Sequence, residues 1–254
     1  TKDAYGFSIL EVVQDNPKFM RVGASTVEHP DGVLNVTQFT QVALTVLSVA
    51  GVASLREQGI FPNHSWFCGH SVGEYSALAA VIDLFTLENL VDAVYHRGIT
   101  MQEYIDRDEA GRSDYLMGVI RPHRVGMSGP QAIELIEEVH LSSGFPIYVV
   151  NHNIAGRQYA VAGHIKAIAA LQKKLAPIDP NGEGWVNIPG IDVPFHSPLL
   201  KDGVPAFRTV LENCIPQDVD IDRLVHRYVP NLVARPFELT DSFLDEMIEV
   251  TGHH

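Results

Sequence analysis

Cysteine is scarce in this chain. Cys68 and Cys214 are the only two among 254 residues. They are far apart in sequence, which supports neither a disulfide framework nor a zinc site and fits a reducing, cytoplasmic setting. Positive charge is also short: 18 Lys and Arg against 31 Asp and Glu give a net charge of −13. Broad electrostatic attraction to nucleic acid or an anionic membrane is therefore not expected. A long hydrophobic run is missing too. The longest, Val42 to Leu55, is broken by Thr45, Ser48, Gly51 and Ser54. Spanning a bilayer takes about 20 apolar residues, so this run reads as a buried helix. There is no signal-peptide pattern and no internal repeat. What is present is an ordinary globular composition, 46% hydrophobic and 19% charged, in a chain long enough for one large domain or two modest ones. Thr1 opens the chain as if in mid-domain, and His253 and His254 after Gly252 look like a tag remnant. The chain reads as an excised piece.

Apolar spacing sets out the elements. Phe39, Val42, Ala43, Val46, Leu47, Ala50 and Ala53 recur at about 3.6 residues. A helix is predicted over Val36–Gln58, capped by Asn35 and stopped by Gly59. Ser65 to Cys68 reads as a buried strand, followed by a helix from Val72 to Val81 and another from a Thr86 cap to Tyr104. Between 115 and 189 the rhythm changes. Strands are predicted at 115–120, 146–151, 158–163 and 185–189, with helices opened by Ser128-Gly129-Pro130 and running over 164–176. That β-α-β-β-α-β order is the ferredoxin-like pattern. It suggests a small α+β subdomain inserted into a larger α/β body, the alternative being one continuous α/β sheet. A helix ending near Cys214, a strand running into a loop over His226–Asn231 and a helix over Glu238–Val250 complete the chain; residues 1–34 carry no clear pattern.

The chemistry centres on Gly69-His70-Ser71-Val72-Gly73. Gly-x-Ser-x-Gly between a strand and a helix is the nucleophile-elbow pattern. A serine hydroxyl needs a base within hydrogen-bond reach and donors for the oxyanion that forms on attack. The Val72 N–H, next after the serine and at the helix N-terminus, is the natural first donor. The pattern by itself is weak, because Gly and Ser are common and a loop serine is the ordinary reading. Of the twelve histidines, His196 is the best candidate base. It lies in a proline-fixed loop, Val193 to Pro198, where the larger body resumes, and follows the serine in hydrolase-type order. His70 adjoins the serine but reads as structural. No acid between them, Asp179 and Asp192 included, is marked out as a third member, and no HGGG-type loop is present.

With GHSVGEY (69–75), YHRGITMQ (95–102) and PGIDVPFHSPLL (189–200) set side by side, the chain resembles the acyl-CoA:acyl-carrier-protein transacylases. More closely, it is similar to the malonyl/palmitoyl transferase domain of type I fatty acid synthases of the fungal β-subunit and mycobacterial type. TQFTQVALTV (37–46), RDEAGRSDY (107–115), VVNHNIAGRQYAVAG (149–163) and YVPNLVARPF (228–237) extend the match over most of the chain in family order.

The resemblance implies an α/β-hydrolase-like body over 1–114 and 190–254 around the ferredoxin-like subdomain at 115–189. It implies that Ser71 is acylated and that His196 is general base, then general acid to the leaving thiol. A main-chain carbonyl near Asn231 would orient that histidine, which accounts for the missing acid. Arg97 would pair with the malonyl carboxylate, a task its guanidinium geometry suits; from sequence alone Arg97 reads as a surface helix arginine. Gln41, Asn151 and Asn153 would line the pocket, and Phe195 would sit where the family adjusts acyl-chain selectivity. No bound cofactor or metal is implied. Malonyl-CoA, acyl-CoA and carrier phosphopantetheine would be substrates, and the carrier protein and the other synthase domains would be partners. The family's early Gly-Gln-Gly-Ser-Gln segment, source of the second oxyanion donor, is absent, so the piece reads as starting after it.

Two further readings stay open. One is a serine esterase or thioesterase, which would hand the acyl group to water. The other is a structural, catalytically impaired fragment of a synthase. Carrier docking would fall to Arg121, His123 and Arg124, or to Lys166, Lys173 and Lys174, although most charge clusters are simply solvated faces.

Overall fold

The computed structural model describes residues 2–61, 64–109 and 111–251; the terminal histidines lie outside them. In chain order the elements are α1 (Lys2–Tyr5), α2 (Ile9–Asp15), β1 (Phe19–Val22), β2 (Ser25–Glu28), α3 (Thr37–Glu57), α4 (Gly73–Ile82) and α5 (Leu87–Glu103). There follow β3 (Tyr115–Ile120), α6 (Gly129–Ser143), β4 (Ile147–Ile154), β5 (Gln158–His164), α7 (Ile165–Leu175), β6 (Trp185–Asn187), α8 (Val204–Cys214) and α9 (Asp241–Thr251). The chain divides into two compact units, one of Thr1–Ile99 with Ala206–His254 and one of Thr100–Pro205.

The first unit is mostly helical. Its core gathers Phe39 and Val42 from α3, Val81 from α4, and Leu90, Ala93 and Val94 from α5, with Phe67 and Tyr228. Only the N-terminal half of α3 is buried. Leu44, Leu47 and Leu55 are 50%, 61% and 42% exposed, so the expected buried helix is half outward-facing. At 21 residues, α3 falls one residue short of the expected Val36–Gln58 helix at each end. By length and composition alone it is apolar enough to cross a membrane, with 28% of its most apolar window buried. Its start differs as well. Asn35 spends its amide on the carbonyls of Asp31 and Gly32, and the cap position is Val36, with no side-chain cap bond.

Strand structure in this unit is sparse. β1 and β2 form a short antiparallel ribbon from Phe19↔Glu28 to Val22↔Ser25. Its faces are largely exposed, which is why no alternation marked it in the sequence. The strands expected at 65–68 and 226–231 shrink to one parallel bridge, Phe67↔Tyr228. Phe67 N–H donates to the Arg227 carbonyl at 2.7 Å, and Val229 N–H to the Phe67 carbonyl at 2.9 Å. Phe67 is buried while Trp66 and Cys68 are exposed. Two backbone hydrogen bonds and one buried residue on the 65–68 side carry the pairing, too little to extend a ladder.

The second unit follows its sequence pattern closely. Its four strands form one sheet in the order β4-β5-β3-β6, every neighbouring pair antiparallel. Ile136 and Val139 of α6 and Ile168 and Leu171 of α7 pack with Ile120, Ile147 and Val161 on one face. A capping box opens α6: Ser128 Oγ accepts from the Gln131 N–H while the Gln131 side chain accepts from the Ser128 N–H. On the opposite face, Met117, Ala160 and Ala162 gather Val150, Ile188, Ile191 and Phe195. The register of β4 slips between Val149 and Asn151. This bulge pairs Asn151 with Ala160 and so turns it toward the face that holds Phe195.

Candidate active site

Ser71 has φ 53°, in the left-handed region that non-glycine residues rarely occupy. Strain of this kind is the elbow's signature: the backbone is bent so that the hydroxyl stands out from the turn. Gly69 makes the bend possible. A Cβ there would lie 2.1 Å from the Gly73 carbonyl carbon and oxygen, backbone atoms that cannot move aside. A Cβ on Gly73 would meet nothing within 4 Å, so of the two flanking glycines only the first is demanded by space. Helix α4 starts two residues after Ser71 with Val72 as its cap. The Val72 N–H thus belongs to the group of amides that an α-helix leaves without an internal acceptor. At the other end of α4, Arg223 donates to the carbonyls of Val81 and Ile82 at 3.2 and 3.3 Å, and Arg56 donates to Ala80 O. Two cations on terminal carbonyls anchor the helix that carries the elbow.

Arg97 is not a surface arginine. It is 7% exposed, and its guanidinium donates to Gln41 Oε1 at 2.6 Å and to Ser71 Oγ at 3.2 Å. It also lies over the Tyr75 ring at 5.6 Å. Burial pulls its pKa below the usual arginine value, while Tyr75 and Glu74 push back. The approach of two helices accounts for the placement. A Cβ on Gly98 would stand 2.4 Å from Gln38 Cα, so α5 comes close to α3 only because position 98 lacks a side chain. Gln41, one turn on from Gln38 and 5% exposed, then meets Arg97. Arg97 thereby bridges Gln41 and the Ser71 hydroxyl.

A second constellation ties the elbow to the segment after the bridge. Glu74 Oε1 accepts from the Asn231 N–H at 3.0 Å and from the Tyr228 hydroxyl. Asn231 Nδ2 donates to Gly69 O at 2.5 Å. Burial, and then the Glu74 carboxylate, holds the Tyr228 phenol well above its ordinary pKa. Sequence reasoning missed Tyr75 and Glu74. Both sit inside the quoted GHSVGEY run, but nothing in their spacing tells a site residue from an ordinary helix residue.

In the second unit, His196 is exposed and, like Ser71, has positive φ, at 60°. Its loop is anchored on both sides. Ser197, 6% exposed, donates to Pro194 O at 2.7 Å, and Phe195 packs on the sheet. Arg107 donates to Asp192 Oδ1 at 3.0 Å, and Ser113 Oγ donates to the Asp192 carbonyl. Asp192, one of the acids between the serine and His196, is thus engaged in fastening the loop to the 107–113 segment. Asn151 lies half-buried on the Phe195 face, while Asn153 is exposed in the next register shift of β4. In both basic groups, cations are engaged locally. Arg124 pairs with Glu183 at 3.3 Å, Lys174 pairs with Glu138 at 2.7 Å, and Lys166 sits over the Phe145 ring. Among the described residues no group of three His, Cys, Asp or Glu is placed to hold a metal.

A profile of the acyl transferase domain family matches residues 1–186. Fatty acid synthase subunit beta of Saccharomyces cerevisiae is 33% identical over 99% of this chain, which spans 16% of that protein. Fatty acid synthase 2 of Mycosarcoma maydis is 35% identical over 89% of the chain and 7% of its own length. Among solved structures, FabD from Acinetobacter baumannii aligns with TM-score 0.71 and 23% identity, over all of this chain and 68% of its own. A malonyl-transacylase in complex with a type II PKS acyl-carrier protein aligns with TM-score 0.71 and 23% identity, over 98% of this chain and 69% of its own. The mixed α/β fold is that of the malonyltransferases. With a strained serine beside a buried arginine, and a family match over most of its length, the chain belongs to the acyl transferase domain family.

Proposed function

We propose that the chain moves malonyl groups from coenzyme A to the phosphopantetheine thiol of an acyl carrier protein, as one domain of a cytoplasmic type I fatty acid synthase. The observation that carries this reading is the Arg97 guanidinium, buried and 3.2 Å from Ser71 Oγ. A buried cation beside a nucleophile suits an acyl group that carries its own carboxylate.

In this reading Ser71 Oγ attacks the thioester carbon while His196 takes the hydroxyl proton. The Val72 N–H donates to the oxyanion. The tetrahedral intermediate collapses, the carbon–sulfur bond breaks, and His196 returns the proton to the coenzyme A sulfur. A carrier thiol repeats the steps in reverse and leaves with the malonyl group. The Asn231 carbonyl orients His196, and Arg97 with Gln41 holds the malonyl carboxylate. Asn151, Asn153 and Phe195 line the acyl pocket. No cofactor is bound, and the other synthase domains supply the carrier. Transfer of a finished palmitoyl chain from carrier to coenzyme A uses the same serine with Arg97 turned aside. The first unit acts as an α/β-hydrolase-like body, supported by the elbow, its helix and the Phe67–Tyr228 pair. The second acts as the ferredoxin-like subdomain, supported by its strand order; from sequence its limits are 115–189.

The test is intact-protein mass spectrometry after incubation with malonyl-CoA. A malonyl adduct that maps to Ser71 and is missing in Ser71→Ala is expected. Absence of any adduct contradicts the proposal, and rapid release of free malonate points to a hydrolase instead.

A further inference from the structure

Two segments more than 150 residues apart in sequence meet at the elbow, and one carboxylate oxygen joins them. Glu74 Oε1 accepts both the Tyr228 hydroxyl and the Asn231 N–H, across separations of 154 and 157 residues. The Asn231 amide closes the ring by donating to Gly69 O, 162 residues away. A carboxylate oxygen has lone pairs for both donors. Tyr228 is held independently by the Phe67↔Tyr228 bridge, by its N–H donating to the Leu224 carbonyl at 2.9 Å and by its carbonyl accepting from the Phe237 N–H at 2.7 Å. At the far end of the segment, Asn231 is tied to the elbow through Glu74 and Gly69.

We propose that Glu74 is a positioning residue: its Oε1 clamps the Tyr228–Asn231 segment to the elbow helix and so keeps the Asn231 backbone in register with Ser71. The inference deepens the acyl-transfer reading and rests on it for the roles of Ser71 and Asn231. An ordinary alternative is that Glu74, in the first turn of α4, only complements the helix dipole. The two accounts separate on charge. A negative charge three residues after Ser71 opposes the oxyanion that acylation creates. If Glu74 acts as a clamp, its contribution comes from where its acceptor oxygen sits, and a neutral acceptor of the same shape should serve.

The experiment compares Glu74→Gln, Glu74→Ala and Tyr228→Phe with the unaltered protein in three readouts. These are hydrogen exchange at the Asn231 amide, the rate at which a serine-directed fluorophosphonate labels Ser71, and steady-state transfer from malonyl-CoA. Glu74→Ala should speed Asn231 exchange about tenfold or more. It should lower labelling and kcat about 10- to 100-fold, the scale of an ångström-sized misplacement, with KM for malonyl-CoA within about twofold. Glu74→Gln should keep all three readouts within about threefold of the unaltered protein, and Tyr228→Phe should fall between. Should Glu74→Ala fail to fold, the Gln and Phe variants still decide. Equal losses for Gln and Ala, or faster exchange at Asn231 with unchanged labelling, would overturn the clamp. If the unaltered protein is labelled at Ser71 but does not turn over malonyl-CoA, the malonyl reading fails, and the clamp is still judged by labelling.

Discussion

The two units solve the same problem in opposite ways. In the second, Ile120, Val139, Val161 and Leu171 are all fully buried, and a four-stranded sheet with two helices on one face follows from apolar periodicity. In the first, the candidate site rests on a few close approaches: Gly69 against Gly73 at the start of α4, Gly98 of α5 against Gln38 of α3, and a positive φ at Ser71. A fold held by area loses stability to a local truncation but keeps its architecture. A site held by single close approaches does not keep its geometry.

The largest effect is expected for Gly69→Ala. The added Cβ would sit 2.1 Å from backbone atoms, so the elbow must reshape. A cost of about 3 kcal/mol or more is expected, with no detectable Ser71 adduct in a malonyl-CoA incubation. A normal adduct would show that the close approach is not needed. Next comes Arg97→Ala. Loss of the buried guanidinium should lower kcat/KM for malonyl transfer about 10²–10³-fold while palmitoyl transfer falls much less. Equal losses would make Arg97 a structural residue rather than a carboxylate partner. In the second unit, Leu171→Ala removes a side chain with 0% exposure. It should cost about 3 kcal/mol in denaturant unfolding, against less than about 0.5 kcal/mol for Leu47→Ala, at 61% exposed.

The smallest effect concerns pH. Burial, with Asp92 adding to it, pushes the Cys214 thiol from 9.0 up to about 11. A raised acid favours the folded state below its unfolded value, and that contribution drains away as pH climbs from about 9 toward 11. Cys214→Ser should therefore lose less Tm across that window than the unaltered protein. Parallel curves would contradict the assignment.

How much of this was legible in the sequence tracks the same contrast. Apolar runs and 3.6-residue spacing announced every strand and α-helix from Tyr115 to Trp185, because those residues bury whole faces. Gly69-His70-Ser71-Val72-Gly73 announced the elbow, because few residues fit its backbone. The β1–β2 ribbon stayed hidden because its faces are mostly wet, and the strand expected to run into a loop at 226–231 is a single bridge at Tyr228 followed by that loop. Arg97 looked like a surface residue on α5. The one clue to its burial was the neighbouring Gly98, since a glycine inside a helix is costly unless a close approach requires it. Glu74 and Tyr75 had no signal, because their partners lie in segments that only the fold brings near.

The central claim is that Ser71 hands its acyl group to a thiol. The direct measurement is a chase of the isolated malonyl-enzyme, with carrier-bound phosphopantetheine or with buffer alone, followed by quantifying malonyl-carrier and free malonate. Rapid appearance of malonyl-carrier, with the adduct stable in buffer, is the result predicted here. Release of free malonate at the same rate with or without the carrier would contradict it.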